Sequence, residues 1–155
     1  MDRKFMKEAL RLAKKAAALG EVPVGAVIVK EGKIIARGYN RRECDQDGLA
    51  HAELIAIRRA CKKIGFWRLN DCTLYVTLEP CPMCTGAIIN TRIPRVVFGC
   101  SDPKGGAMGG LCDLNQYPWN HHPQIEKGVM GEECAAVLKD FFKALRAKKS
   151  KSPNS

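Results

Sequence analysis

The feature that most restricts the fold is a change of rhythm along the chain. Residues 22–30 and 33–38 are strand-type runs separated by Glu31-Gly32, a pair suited to a hairpin turn. Beyond them, helix-type and strand-type segments alternate. Residues 50–64 put Leu54, Ile57, Cys61 and Ile64 on one helical face. Residues 73–77 form a short apolar strand, residues 81–90 a helix and residues 95–99 another strand. A hairpin pairs antiparallel, whereas strands joined through helices can pair in parallel. Such a chain covers both faces of one mixed sheet, which predicts an α/β protein with three α/β/α layers and about five strands.

The ends extend the pattern. Residues 2–19 space Phe5, Met6, Ala9, Leu10, Ala13 and Ala17 as an amphipathic helix, punctuated by Asp2 and Gly20. Residues 131–146 form a last helix carrying Val137, Leu138, Phe141, Phe142 and Leu145. Between them, residues 101–118 are a glycine-rich loop, long enough in a compact domain to suggest function. A weak strand is expected at 125–130. With no repeat or linker, the expected organisation is one domain at 1–147 and a basic, disordered tail at 148–155.

Composition narrows the class. A length of 155 residues suits one domain, and 46% hydrophobic with 27% charged residues suits a folded one. No run approaches the roughly 20 apolar residues of a membrane span, and the start lacks the apolar centre of a secretory signal. The eight cysteines are therefore expected to be reduced thiols in a cytoplasmic protein. Apart from any closely spaced pair, they are expected to be small buried hydrophobes. Lys and Arg number 26 against 16 Asp and Glu, a net +10 that points toward a polyanion such as nucleic acid. Residues 139–155 hold six basic residues and one acid, half of that excess.

Two short segments carry chemistry. His51-Ala52-Glu53 opens one helix, and Pro80-Cys81-Pro82-Met83-Cys84 runs from a strand end into the next. Cys81 and Cys84, three apart at a helix start, can aim both sulfurs at one point where the helix end favours thiolates. His51 can add a neutral nitrogen, and Glu53 can reach the same cavity without binding metal. Three protein ligands leave one tetrahedral position open, as in a catalytic zinc site, where bound water has a pKa near about 7. A structural zinc completed by His121 and His122 is an alternative, although adjacent histidines chelate one ion poorly. A redox Cys-x-x-Cys pair is another. Joint occurrence with His-x-Glu favours the catalytic site.

The paired motifs resemble those of zinc nucleobase deaminases. Further segments are similar to the bacterial tRNA-specific adenosine deaminases of the cytidine/deoxycytidylate deaminase superfamily. They are Glu21 to Val27, Gly38-Tyr39-Asn40-Arg41, Thr73 to Glu79, Arg95 to Gly99, Asp102-Pro103-Lys104, Asn120-His121 and Glu133-Cys134-Ala135-Ala136 with Phe141-Phe142. The resemblance covers nearly all of residues 2–148. It implies a cytidine-deaminase-like fold, a homodimer, one zinc ion (Zn2+) per subunit, and conversion of adenosine to inosine at the wobble position of a tRNA anticodon, typically of an arginine tRNA. His51, Cys81 and Cys84 match its zinc ligands and Glu53 its proton shuttle, serving zinc-bound hydroxide as it attacks adenine C6. Asn40 and Asn120 match substrate-contacting asparagines, and Asp102 sits in a loop beside the flipped nucleotide. His121 is a further substrate candidate.

Phe141 and Phe142 point about 100° apart on a helix, so one is expected in the core and the other on an anticodon base. Lys143 and Arg146 are the neighbouring candidates for RNA contact. There are departures from the family pattern. Gly48-Leu49 replaces Pro-Thr, leaving Asp47 as the expected helix cap. Cys100 stands where a small residue is common, and Pro123 cannot donate a strand hydrogen bond. Two rival functions remain: deamination of a free nucleobase or nucleotide such as guanine or cytosine, and a noncatalytic zinc-containing RNA-binding module, for which Glu53 would have no use.

Overall fold

The computed structural model describes residues 1–150. Its five strands are β1 (Gly25–Lys30), β2 (Lys33–Tyr39), β3 (Cys72–Leu78), β4 (Arg95–Cys100) and β5 (Gln124–Lys127), in the order β2-β1-β3-β4-β5. β1 runs antiparallel to β2 and β3, while β3, β4 and β5 are parallel. The helices are α1 (Asp2–Ala18), α2 (Ala52–Ile64), α3 (Pro82–Asn90) and α4 (Gly131–Ser150). At the β1–β2 turn, Glu31 and Gly32 have φ of 51° and 73°, as a type I′ hairpin requires.

The strand period of two sorts side chains into two cores. Ala26, Ile28, Leu74, Val76, Val96 and Phe98 pack with α2 and α3 through Ala52, Ala56, Ile57, Ala60 and Ile88. Val27, Val29, Tyr75 and Val97 pack on the other face with Phe5, Met6, Ala9 and Leu10 of α1, and with Met130 and Cys134 around the start of α4. The expected three layers and mixed sheet are present.

One close approach links sheet to site. A Cβ at Gly38 in β2 would overlap the carbonyl of Ala52 in the first turn of α2. Glycine therefore lets the start of α2 lie directly on the sheet. Gly38→Ala is expected to destabilise by about 1–3 kcal/mol through overpacking, read as a lowered Tm, and to disturb the helix start that carries the chemistry.

Several boundaries differ from expectation. β5 ends at Lys127 because Gly128 takes φ 94°. Pro123 lies just before β5, where Gln124 N donates instead to the Pro94 carbonyl at 2.8 Å, so its missing donor breaks no ladder. α4 extends through Ser150, making Lys148 and Lys149 helical and not part of a frayed tail; residues 151–155 lie outside the described residues. Among the cysteines outside the closely spaced pair, only Cys72 and Cys134 are buried. Cys44 and Cys112 are exposed, because they sit in polar and glycine-rich loops. Among the described residues, no helix is long and apolar enough to cross a membrane.

Candidate active site

α2 and α3 begin at the same end of the sheet. His51 is the N-cap residue of α2 and Cys81 that of α3, with Pro82 in a first turn that does not need its missing N–H. Asp47 does not cap α2. Its carboxylate accepts from Leu49 N at 2.9 Å, closing the turn before the helix. Cys84 is one turn into α3 and buried. His51 Nδ1 lies 3.5 Å from Cys84 Sγ and 3.7 Å from Cys81 Sγ, and the three donor atoms lie within 4.8 Å of one another.

Bonds of about 2.3 Å to sulfur and about 2.05 Å to nitrogen give a tetrahedral N···S edge of about 3.6 Å. The two observed separations bracket that value, so these donors fit a zinc-sized ion. His121 and His122 do not join the cluster. Their Nε2 atoms lie 2.6 Å from the carbonyl oxygens of Ile93 and Tyr117, to which they can donate.

Without metal, the hydrogen bond from Cys84 holds the Cys81 thiol down at about 4, aided by His51. The same bond, together with burial, raises Cys84. A bound cation must displace that shared proton. Zinc titration of chelator-stripped protein is therefore expected to release protons, and apparent affinity to fall as pH falls; a pH-independent isotherm would contradict this.

Glu53 lies in the first turn of α2, and burial lifts its carboxyl to about 7. It lines a cavity of about 150 Å³ with His51 and Cys81. Val22, Val24 and Leu78 supply apolar wall, and Asn40, Arg42, Glu79 and Asp102 polar wall. The structure thus brings the three metal-type donors, Glu53, Asn40 and Asp102 together. Asn40 is buried, donating from Nδ2 to Val22 O at 3.1 Å and accepting from Arg42 N at 3.2 Å. Asp102 accepts from the N–H groups of Lys104 and Gly105 while facing the cavity.

Asn120 and His121 do not line this cavity. Asn120 is exposed, and the His121 bond to Ile93 holds it at the end of β4 opposite Asp102. Phe141 and Phe142 do not divide into core and surface either. Phe141 is half-buried and Phe142 is 39% exposed, because α4 buries little beyond Cys134. Both rings, with Leu145 and Lys149, line a second groove that shares Val22, Asn40 and Arg42 with the cavity. Lys143 and Arg146 are exposed on the same helix.

Two buried glutamates escaped the sequence reading. Glu79 accepts from Asp102 N, Met108 N and Gly110 N at 3.0, 2.8 and 2.9 Å. Glu21 accepts from Glu43 N and Cys44 N at 3.0 and 2.7 Å. Each holds a loop beside the cavity. The available signal was that such loops need partners for their backbone N–H groups.

Burial pushes the Glu21 carboxyl up, but the Cys44 and Glu43 donors outweigh it and leave it below the ordinary carboxylate range. Its stabilisation is therefore present above the unfolded pKa and lost as pH falls through the folded one. Glu21→Gln is expected to cost about 1–3 kcal/mol near neutrality, with the Tm difference from the parent shrinking in acid.

A mixed sheet with three metal-type donors and a buried carboxyl at paired helix starts defines a deaminase of cytidine-deaminase-like fold. Residues 1–146 match the MafB19-like deaminase family. The tRNA-specific adenosine deaminase of Bacillus subtilis (strain 168) is 54% identical over 149 residues, spanning 96% of this chain and 92% of that protein. That of Haemophilus influenzae (strain ATCC 51907 / DSM 11121 / KW20 / Rd) is 49% identical over 150 residues, spanning 96% and 87%. A solved structure from work on A-to-I editing by tRNA:A34 deaminases at the wobble position of transfer RNA matches with TM-score 0.83 and 45% identity, covering 87% of this chain and 99% of that one. The chain belongs to the MafB19-like deaminases and, within them, to the family of the tRNA-specific adenosine deaminases.

Proposed function

We propose that this protein hydrolytically deaminates adenosine to inosine at the wobble position of a tRNA anticodon, that of an arginine tRNA first. It does so as a cytoplasmic homodimer with one zinc ion per subunit, held by His51, Cys81 and Cys84. The observation that carries this reading is the trio of donors spaced for one ion beside buried Glu53, in a chain that shares nearly its whole length with tRNA-specific adenosine deaminases. The catalytic domain runs from residue 1 through α4, with Lys148 and Lys149 on its last helix.

A zinc ion held there supplies a Lewis acid and an acidified water. The side chains do the rest. Glu53, with a carboxyl lifted to about 7, is suited to both directions of proton transfer near neutrality. It takes one proton from water and passes it to the ring N1, then takes the second from the new C6 hydroxyl and delivers it to the amine, so that ammonia leaves as the C6 carbonyl forms. Val22, Val24 and Leu78 exclude bulk water from the base. Asn40, fixed by two backbone bonds, keeps an N–H and a lone pair for the nucleoside. Asp102 faces the nucleotide from the other wall. Asn120 contacts RNA beyond the cavity, and His121 anchors its loop.

The groove along α4 continues from the cavity, so Phe141 and Phe142 offer stacking surfaces to neighbouring anticodon bases, while Lys143 and Arg146 meet phosphates. Lys143→Ala and Arg146→Ala are each expected to weaken binding of an anticodon stem-loop and to lower the slope of log affinity against log salt by about one. Fluorescence anisotropy across a salt series checks this.

Deamination of an anticodon stem-loop, free adenosine and free guanine, run side by side, tests the proposed activity. The stem-loop is expected to react and the free compounds to lag far behind. Faster turnover of a free base would favour the free-nucleobase reading. Zinc-replete protein inert on every adenosine-bearing stem-loop would favour the RNA-binding module.

A further inference from the structure

The Asp102 wall of the cavity belongs to a glycine-rich loop with little regular structure of its own. What fixes it is buried. Glu79 lies just past the end of β3, where its N–H donates to the Cys100 carbonyl at 2.9 Å, two residues before Cys81. It is 3% exposed, and its side chain turns into the loop. Oε1 accepts from Asp102 N at 3.0 Å, and Oε2 accepts from Met108 N at 2.8 Å and Gly110 N at 2.9 Å. One carboxylate thus ties both ends of the loop to the strand that leads into the candidate metal site.

The glycines follow from this. A Cβ at Gly106 would overlap the Glu79 carboxylate, and a Cβ at Gly110 would meet both that carboxylate and the Asp102 carbonyl. The loop is glycine-rich because it wraps a buried anion at close range. We infer that Glu79 is a positioning residue for substrate: it sets the Asp102 wall of the cavity, so capture of the nucleotide depends on its grip on the loop. This inference rests on the proposed deamination for its kinetic consequence only.

Glutamine at position 79 offers one acceptor oxygen in place of two, and its NH2 would face an N–H donor. At least one of the three loop donors loses its partner, and Asp102 shifts with the loop. In Glu79→Gln, KM for an anticodon stem-loop is expected to rise at least about tenfold while kcat falls much less, as a loss of roughly one buried bond gives. Bound zinc is expected to stay at one per chain. Amide hydrogen exchange across residues 102–112 is expected to quicken, with the α2 and α3 amides unchanged.

Gly106→Ala pushes on the same carboxylate from outside the cores and is expected to reproduce this pattern, so it carries the test if Glu79→Gln does not fold. Unchanged KM and unchanged loop exchange would overturn the inference. So would loss of zinc with a matching fall in kcat, which would assign Glu79 to the metal helix. If the parent protein fails to deaminate any stem-loop, the proposed function fails and hydrogen exchange alone decides: faster exchange in the loop supports the grip of Glu79, and unchanged exchange overturns it.

Discussion

Glu53→Ala is expected to bind zinc stoichiometrically and to lose at least about 10,000-fold in turnover. General acid–base catalysis contributes about 100- to 10,000-fold for one proton transfer, and the proposed reaction uses Glu53 for more than one. The residue is in the first turn of α2 and buried, and the donors that fit the metal are His51, Cys81 and Cys84. Its removal therefore spares the metal. Stability provides a second signature. In metal-free protein the carboxyl titrates near 7 against an ordinary 4.5, because burial disfavours the charge. Ionising it inside the fold then costs stability as pH rises above 4.5. Chelator-stripped Glu53→Ala is expected to melt higher than the stripped parent above pH 7, and the gain is expected to vanish in acid. Zinc assay, turnover and thermal melts check these expectations together. Near-normal turnover would remove Glu53 from the mechanism.

Cys84→Ala is expected to fail differently. Cys84 is a fully buried donor, 3.5 Å from His51 Nδ1. Two donors remain, which is too few for a stable zinc site. Bound zinc is expected to fall well below one per chain, and deamination to fall to background. The variant also lacks the stabilisation that metal confers on the folded state. The Tm of Cys84→Ala is then expected to be insensitive to chelator, while that of the parent drops on chelation. Together the two variants separate holding the metal from moving the proton. Full zinc occupancy in Cys84→Ala would contradict the assigned ligand set.

Much of this was legible in one dimension. A strand buried on both faces reads as a near-continuous apolar run, so β1 and β3 could be located between their turn signals before their partners were known. The metal-type donors were legible because they sit at helix starts, where three-residue spacing translates directly into convergence. Glu79 and Glu21 were not. A buried carboxylate that collects backbone N–H groups looks, in sequence, like any surface acid, and its partners are 22 to 31 positions away. The division of Phe141 and Phe142 failed because α4 lies over the edge of the core with little beneath it but Cys134. Where Asn120 and His121 would lie was not legible, because a long loop carries no periodicity from which direction can be read. The hydrogen bond of His121 to Ile93 fixes that direction.

The charge excess also acquired a location. Residues 139–150 of α4 carry Lys139, Lys143, Arg146, Lys148 and Lys149 against Asp140, and the groove along this helix adjoins the cavity, whose charged lining is Glu53, Glu79 and Asp102 with Arg42. Phosphate contact and chemistry are thus proposed for neighbouring surfaces of one subunit.

The most direct test of the proposed function is to incubate the zinc-replete protein with an unmodified arginine tRNA transcript bearing adenosine at the wobble position, and then to sequence the cDNA. Inosine pairs as guanosine, so that adenosine is expected to read as G, with every other adenosine of the anticodon loop unchanged. An adenosine that still reads as A at the wobble position after prolonged incubation would contradict the proposed function.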